Sequence, residues 1–163
     1  MNTASATFAF PIQTRMLLGS EGSTTVLLEA LTGRAMRVRV TAQELVAGSD
    51  LEPAVCDAIN AAPQDRLVLR ESVLEAAGAT VSVNRVVFAE STAPWLVGDS
   101  SDVPIGHQLR GRGALQHRTQ LGCGTDVWPY GDSPCAFKCY VIRSSGGHLY
   151  VHERFNPLIV PLA

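Results

Sequence analysis

The sequence predicts one α+β domain built on a mainly antiparallel sheet, and three observations carry that prediction. Its 163 residues fit a single core that buries roughly 70% of the surface the unfolded chain exposes. Two pairs of Val- and Leu-rich runs, each joined by a short Gly-containing turn, read as hairpins. Five or six strands accompanied by a few short helical stretches make an α+β arrangement.

Ser20 to Thr25 is a Ser/Gly/Thr cluster leading into Val26, Leu27, Leu28, Ala30 and Leu31, a cap followed by a buried helical face that Gly33 ends. Met36, Val38 and Val40 alternate with Arg37 and Arg39, the period of a strand with one wet, basic face. Leu51 to Ala62 carries Pro53 near its start and Val55, Ile59 and Ala62 at helical spacing, which predicts a short helix before Pro63. Leu67–Ala76 and Thr80–Glu90 read as paired antiparallel strands about Ala77-Gly78-Ala79. Gly98 to Asp102 reads as a loop, Pro104 to Arg110 as a short helix and Leu115 to Cys123 as a strand. The glycines and prolines from Gly122 to Pro134 predict an irregular segment. Cys135–Arg143 and His148–Phe155 then form a last hairpin around Ser144-Ser145-Gly146-Gly147.

Composition narrows the function classes. A net charge of −2 gives no reason to expect a polyanionic partner, so neither nucleic acid nor an anionic membrane is expected. No apolar run is long enough to span a bilayer. Met1 to Leu18 lacks the basic start, apolar centre and cleavage site of a secretion signal, and the expected location is the cytoplasm. There, Cys56, Cys123, Cys135 and Cys139 are expected as free thiols. Cys135-x-x-x-Cys139, with Cys123 and His117 or His148, invites a zinc reading, but no Cys-x-x-Cys pair exists, so no metal is expected. Gly111-Arg112-Gly113 and Gly122-Cys123-Gly124 lack the Lys-Ser/Thr of a phosphate loop, so no nucleotide cofactor is expected either.

The informative residues are charges that the pattern places on apolar strand faces, because an unpaired buried charge is costly. In the last strand Leu149, Val151, Glu153 and Phe155 point one way, while His148, Tyr150, His152 and Arg154 point the other. Glu153 therefore faces inward. In the strand from Leu67, both faces are mixed, so either Arg70 or Glu71 approaches the interior. Two arrangements satisfy buried Arg70 and Glu153. They pair with each other, or they stand apart across a pocket, Arg70 offering a planar fork to a carboxylate and Glu153 meeting a hydroxyl. Arg85 shares a face with Val81, Val83 and Val87 but can reach water along its stem and is read as structural.

The order of Ser23-Thr24-Thr25, Leu67-Val68-Leu69-Arg70-Glu71, Val103-Pro104-Ile105-Gly106 and Tyr150-Val151-His152-Glu153-Arg154-Phe155, with Pro157 after it, resembles the chorismate lyase family. That family also contains ligand-sensing domains of some bacterial transcription regulators. The resemblance runs from about Thr14 to Pro157, with residues 1–13 as an N-terminal extension and 14–163 as the domain. It implies a six-stranded antiparallel sheet with helices on one side and an enclosed site under helical flaps. By position, Arg70 is implied to bind a ring carboxylate with the backbone N–H of Ile105, Glu153 to bond the ring hydroxyl, and the backbone near Thr24 to close that end.

The chemistry implied is a cofactor-free lyase reaction, chorismate to 4-hydroxybenzoate and pyruvate, with Arg70 and Glu153 as the catalytic pair. Aromatisation drives it, and the protein's share is orientation and charge complementarity. Desolvated Glu153 is alternatively a general acid or base. Chorismate has two carboxylates, and Arg118 is the expected second cation. His107 either borders the pocket or is an exposed residue of a helix start. The segment Gly122 to Cys139, with Trp128 and Tyr130, departs from the family and reshapes a flap. Two rival functions stand beside the lyase: a tailoring enzyme acting on another carboxylate-bearing or polyketide-like molecule, and a non-catalytic small-ligand-binding domain. No helix-turn-helix precedes Thr14, which weighs against the second unless a partner chain supplies one. The partner expected in every case is a small-molecule carboxylate.

Overall fold

The computed structural model describes residues 9–113 and 115–163. The elements in chain order are α1 (Ile12–Gly19), α2 (Thr24–Thr32), β1 (Arg37–Ala47), α3 (Pro53–Ile59), β2 (Arg66–Ala76), β3 (Ala79–Ala89), α4 (Ile105–Gly111), β4 (His117–Val127), β5 (Pro134–Ser144) and β6 (Gly147–Phe155), with 3-10 turns at Gly48–Asp50 and Pro94–Leu96. The strands form one six-stranded antiparallel sheet in the order β1-β2-β3-β6-β5-β4. The two expected hairpins are β2–β3 and β5–β6. They meet in the middle of the sheet, so the longest-range pairing, β3 with β6, holds the two halves together.

Local sequence explains the elements. α2 begins after Ser23 and ends at Gly33, whose φ of 66° lets its N–H reach Glu29 O; that left-handed turn suits glycine. α3 starts on Pro53, whose missing N–H costs nothing in a first helical turn.

Three differences from the sequence expectations have physical causes. α1 has no clear signature in the sequence, because its apolar residues do not share one face: Leu17 and Leu18 are buried while Ile12 and Met16 are 65% and 66% exposed. Of the expected extension 1–13, residues 1–8 lie outside the described residues, and Phe10 joins the core beside Leu17 and Leu28. β1 runs to Ala47, not Val40. Its register with β2 shifts between Val40 and Ala42, and the inserted Thr41 flips the alternation that marked the strand. β4 likewise continues through Gly122 and Gly124 to Val127. A side chain at Gly124 would meet the Phe137 ring at 3.3 Å, so this glycine makes room for its neighbour across the pair, while one at Gly122 would meet Cys139 Sγ at an ordinary 3.5 Å.

Two apolar clusters cover one face of the sheet. The first joins α1 and α2 to Val38, Leu74, Ala136 and Phe155; the second joins Leu96 and Leu109 to Val68, Val86, Phe88, Ile142 and Leu149. α3 adds a smaller cluster, Val55 and Cys56 against Leu67 and Val87. By strand alternation Leu67 and Val87 lie on the opposite face, so one short helix also covers part of that side.

Candidate functional site

A row of polar side chains crosses the covered face between its two apolar clusters. In register, Ser72 of β2 faces Asn84 of β3, Asn84 faces Glu153 of β6, and Glu153 faces Lys138 of β5. All four are buried. Ser82 Oγ donates to Asn84 Oδ1 at 3.0 Å, and Lys138 Nζ donates to Leu17 O at 3.1 Å and Ser20 O at 3.3 Å. Lys138 thus ties the floor of the sheet to the C-terminal end of α1, where a cation is favoured by the helix dipole.

Over this row lies a cavity of about 50 Å³. Every strand contributes to its floor: Val38, Ser72, Leu74, Asn84, Val86, Arg118, Tyr140, Ile142, Val151 and Glu153, while Ser23–Thr25 at the start of α2 and Pro104–Gly106 at the start of α4 form its roof. The two roof segments touch at Gly106, where a Cβ would stand 3.2 Å from Ser23 Oγ and 3.7 Å from Arg118 Nη2. Only the Ser23 hydroxyl rotor must yield, so Gly106→Ala should change stability by less than about 1 kcal/mol, as read by urea denaturation.

Four buried polar atoms of the lining have no hydrogen-bond partner: Ser23 Oγ, Thr24 Oγ1, Arg118 Nε and Glu153 Oε2. Burial pushes the Glu153 carboxyl above its ordinary range, against the Lys138 charge, the nearby Thr24 and Tyr140 hydroxyls and Arg118. Those hydroxyls lie close to the carboxylate without reaching good hydrogen-bond geometry with Oε2. Burial likewise pulls Lys138 down, with Glu153 opposing it, and pushes the Tyr140 phenol up. Among the described residues, no ion pair includes Glu153 or Arg118. The cavity therefore presents a cation and an acid, each with one buried polar atom left unbonded.

Four of the five residues singled out from sequence line this cavity: Thr24, Ile105, Arg118 and Glu153. Arg70 does not. It is fully buried, as the strand pattern required, while Glu71 is exposed, but its guanidinium turns under the Pro94–Asp102 segment. Nη1 donates to Leu96 O at 2.9 Å and Nη2 lies 3.7 Å from Asp99 Oδ2. Arg70 and Glu153 also do not pair with each other: two strand spacings and one two-residue step separate them, roughly 12 Å between Cα atoms. The charged neighbour of Glu153 is Lys138, which sequence reasoning passed over although it shares a face with Ala136, Tyr140 and Ile142.

The remaining candidates fall elsewhere. Cys123 sits opposite Lys138 on the cavity side, whereas Cys135 and Cys139 alternate onto the other face with Phe137, so the three thiols do not converge. His107 contacts Glu29 at 3.3 Å. Arg85 pairs with Glu52 at 3.1 Å, the structural role expected of it. No helix of the described residues is long and apolar enough to cross a membrane.

No family model matches the chain, and no curated protein matches it in sequence. Solved structures match in fold. PhnF from Mycobacterium smegmatis superposes with a TM-score of 0.69 at 12% identity, over 88% of this chain and 68% of that one. The effector domain of PhnF gives 0.64 at 14% identity, over 84% of this chain and 90% of that one. The chain shares its fold with GntR-family ligand-binding domains. One of these, from a putative GntR-family transcriptional regulator of Bordetella bronchiseptica, gives 0.60 at 6% identity, over 74% of this chain and 85% of that one.

These neighbours correct the expectation of a lyase. They are regulators and their effector domains, not lyases, and the expected catalytic pair is divided, with only Glu153 in the cavity. The expected absence of a nucleic-acid partner also draws no support from a set of neighbours that act as transcriptional regulators.

Proposed function

We propose that this chain is a non-catalytic domain that binds a small polar ligand in the cavity between the sheet and the starts of α2 and α4. The unpaired buried atoms Ser23 Oγ, Thr24 Oγ1, Arg118 Nε and Glu153 Oε2 carry the reading, because leaving each one desolvated and unbonded costs about 1–3 kcal/mol. A ligand that bonds them recovers that cost. Arg118 suits an acidic group, with the Ser23 and Thr24 hydroxyls beside it. Glu153, at the Lys138 end, suits a hydroxyl or amino group. The ligand class is thus a small acid that also carries a hydrogen-bond donor.

The regulator and effector-domain neighbours support taking the ligand as a signal read on behalf of a transcription regulator in the cytoplasm, where such a sensor meets DNA. A lining of hydroxyls, one acid and one arginine over an apolar floor suits recognition of a small polar molecule. The test is a thermal-shift screen of small hydroxy and amino acids and their aromatic analogues. A ligand at a hundred times its Kd should stabilise the protein by about 2.7 kcal/mol, and Thr24→Val should weaken it severalfold. A screen in which every stabilising ligand is indifferent to Thr24→Val, or in which none stabilises, contradicts the proposal.

A further inference from the structure

Resting on the ligand-binding reading, we propose that the cavity admits only acids of about five non-hydrogen atoms, the size of glycolate, and that Val151 in the floor and Gly106 in the roof set that limit.

The cavity volume of about 50 Å³ gives room for roughly three to five water-sized groups, at about 10–15 Å³ each. Sites for drug-sized ligands run to roughly 300–1,000 Å³. A benzene ring alone would fill the space here and leave none for the polar groups that must reach the lining. The polar ends are correspondingly close. Arg118 and Glu153 line the same small cavity, and the Arg118 charge is near enough to favour the ionised form of the Glu153 carboxyl. An acid with its hydroxyl on the neighbouring carbon suits so short a space.

The walls hold that volume. In register, Val86 faces Val151 and Val151 faces Tyr140, and all three are buried on strands paired along both edges. The valines are stiff at χ1, so the floor does not fold away from a larger guest. The roof is braced at both of its segments. The start of α2 follows Ser20, whose carbonyl accepts from Lys138 Nζ at 3.3 Å, and Leu28 fixes the helix in the apolar core. His107 ties α4 to Glu29 of α2 at 3.3 Å, and Glu29 also accepts from Met36 N at 3.0 Å. Gln108 adds bonds from Nε2 to Asp99 Oδ2 and Val103 O, each at 2.8 Å. A larger ligand has to break these contacts to enter.

Two residues meet the ligand where size is decided. Val151 sits at the centre of the floor, between Val86 and Tyr140, with its two methyl groups beneath the space. Gly106 lies in the first turn of α4 without a positive φ, so no turn geometry calls for glycine, and glycine within a helix is otherwise unfavourable. What its missing side chain leaves is room. A Cβ there would stand 3.2 Å from Ser23 Oγ, 3.7 Å from Arg118 Nη2 and 3.8 Å from Thr25 Oγ1, among the groups that receive the acid.

Glycolate, lactate and mandelate test this by titration calorimetry on the full chain. They share a carboxylate and a neighbouring hydroxyl, and they differ by a hydrogen, a methyl and a phenyl group. Wild type should bind glycolate best, lactate about tenfold more weakly and mandelate not measurably. Val151→Ala, which removes two methyl groups from the floor, should reverse the order of glycolate and lactate. Gly106→Ala should weaken glycolate about tenfold or more while its urea midpoint stays near that of wild type, so it reads the limit even if Val151→Ala fails to fold. Mandelate binding wild type as tightly as glycolate overturns the size limit and leaves the functional reading standing. Unchanged glycolate affinity in Gly106→Ala, or an unchanged order in folded Val151→Ala, does the same. If none of the three binds, a larger acid found by the thermal-shift screen overturns the size limit alone, and an empty screen rejects the functional reading with it.

Discussion

Lys138→Met should lower the unfolding free energy by about 2–4 kcal/mol at pH 7, from leaving two buried carbonyls unbonded and removing the cation that faces buried Glu153. Lys138 and Glu153 face each other across β5 and β6, both are buried, and the lysine spends two of its donors on Leu17 O and Ser20 O. Removing it strands Glu153 beside an apolar methionine. The double variant Lys138→Met/Glu153→Met should recover part of the loss, since it removes the buried acid left without a facing cation. Its shortfall measures the two orphaned α1 carbonyls. The pH dependence has a definite sign. The folded-state pKa of Glu153 is already raised and rises further without Lys138. The stability that Glu153 contributes is therefore full below its unfolded value and is lost as pH rises through the folded one. The single variant should be less impaired at pH 5 than at pH 8. Chemical denaturation at both pH values checks this, and a loss that does not change with pH contradicts a charged Glu153 at neutrality.

Arg118→Met should weaken binding of an acidic ligand about 10- to 100-fold, the worth of a charge-assisted hydrogen bond of roughly 1.5–3 kcal/mol. Stability should hardly change, because no ion pair among the described residues includes Arg118 and its Nε is unpaired. That separation of affinity from stability distinguishes a recognition residue from a structural one. Titration calorimetry with any ligand found by thermal shift, alongside denaturation of the same variant, reads both quantities. A matched loss of stability would make Arg118 a part of the fold instead.

Much of this architecture is legible from strand alternation. The charges that share a face with apolar neighbours on β2 and β6 are Arg70 and Glu153, and both are buried. On β5 the same criterion picks out Lys138 among Ala136, Tyr140 and Ile142. Its signal is masked because Cys135, Phe137, Cys139 and Val141 make the other face of that strand equally apolar, and a strand apolar on both sides gives no cue as to which way Lys138 points. The second half of β1 is hidden by the shift at Thr41, which breaks the alternation that marks a strand.

The role of Arg70 was not legible, since its partners Leu96 and Asp99 belong to an irregular loop with no periodicity to place it. Function was harder still. An acid, an arginine and a pocket suit a lyase and a sensor alike, because fold and residue type set which molecules can be bound and not the fate of the bound molecule. The solved structures of similar fold are regulators and their effector domains, and these weigh against the lyase.

The most direct test of the account is to map a bound ligand by NMR, following backbone and side-chain shifts as the best stabilising acid is titrated in. The account predicts the largest changes at Thr24, Ile105, Gly106, Arg118 and Glu153. Changes centred on the opposite face, around Arg85, His152 and Tyr130, would contradict it.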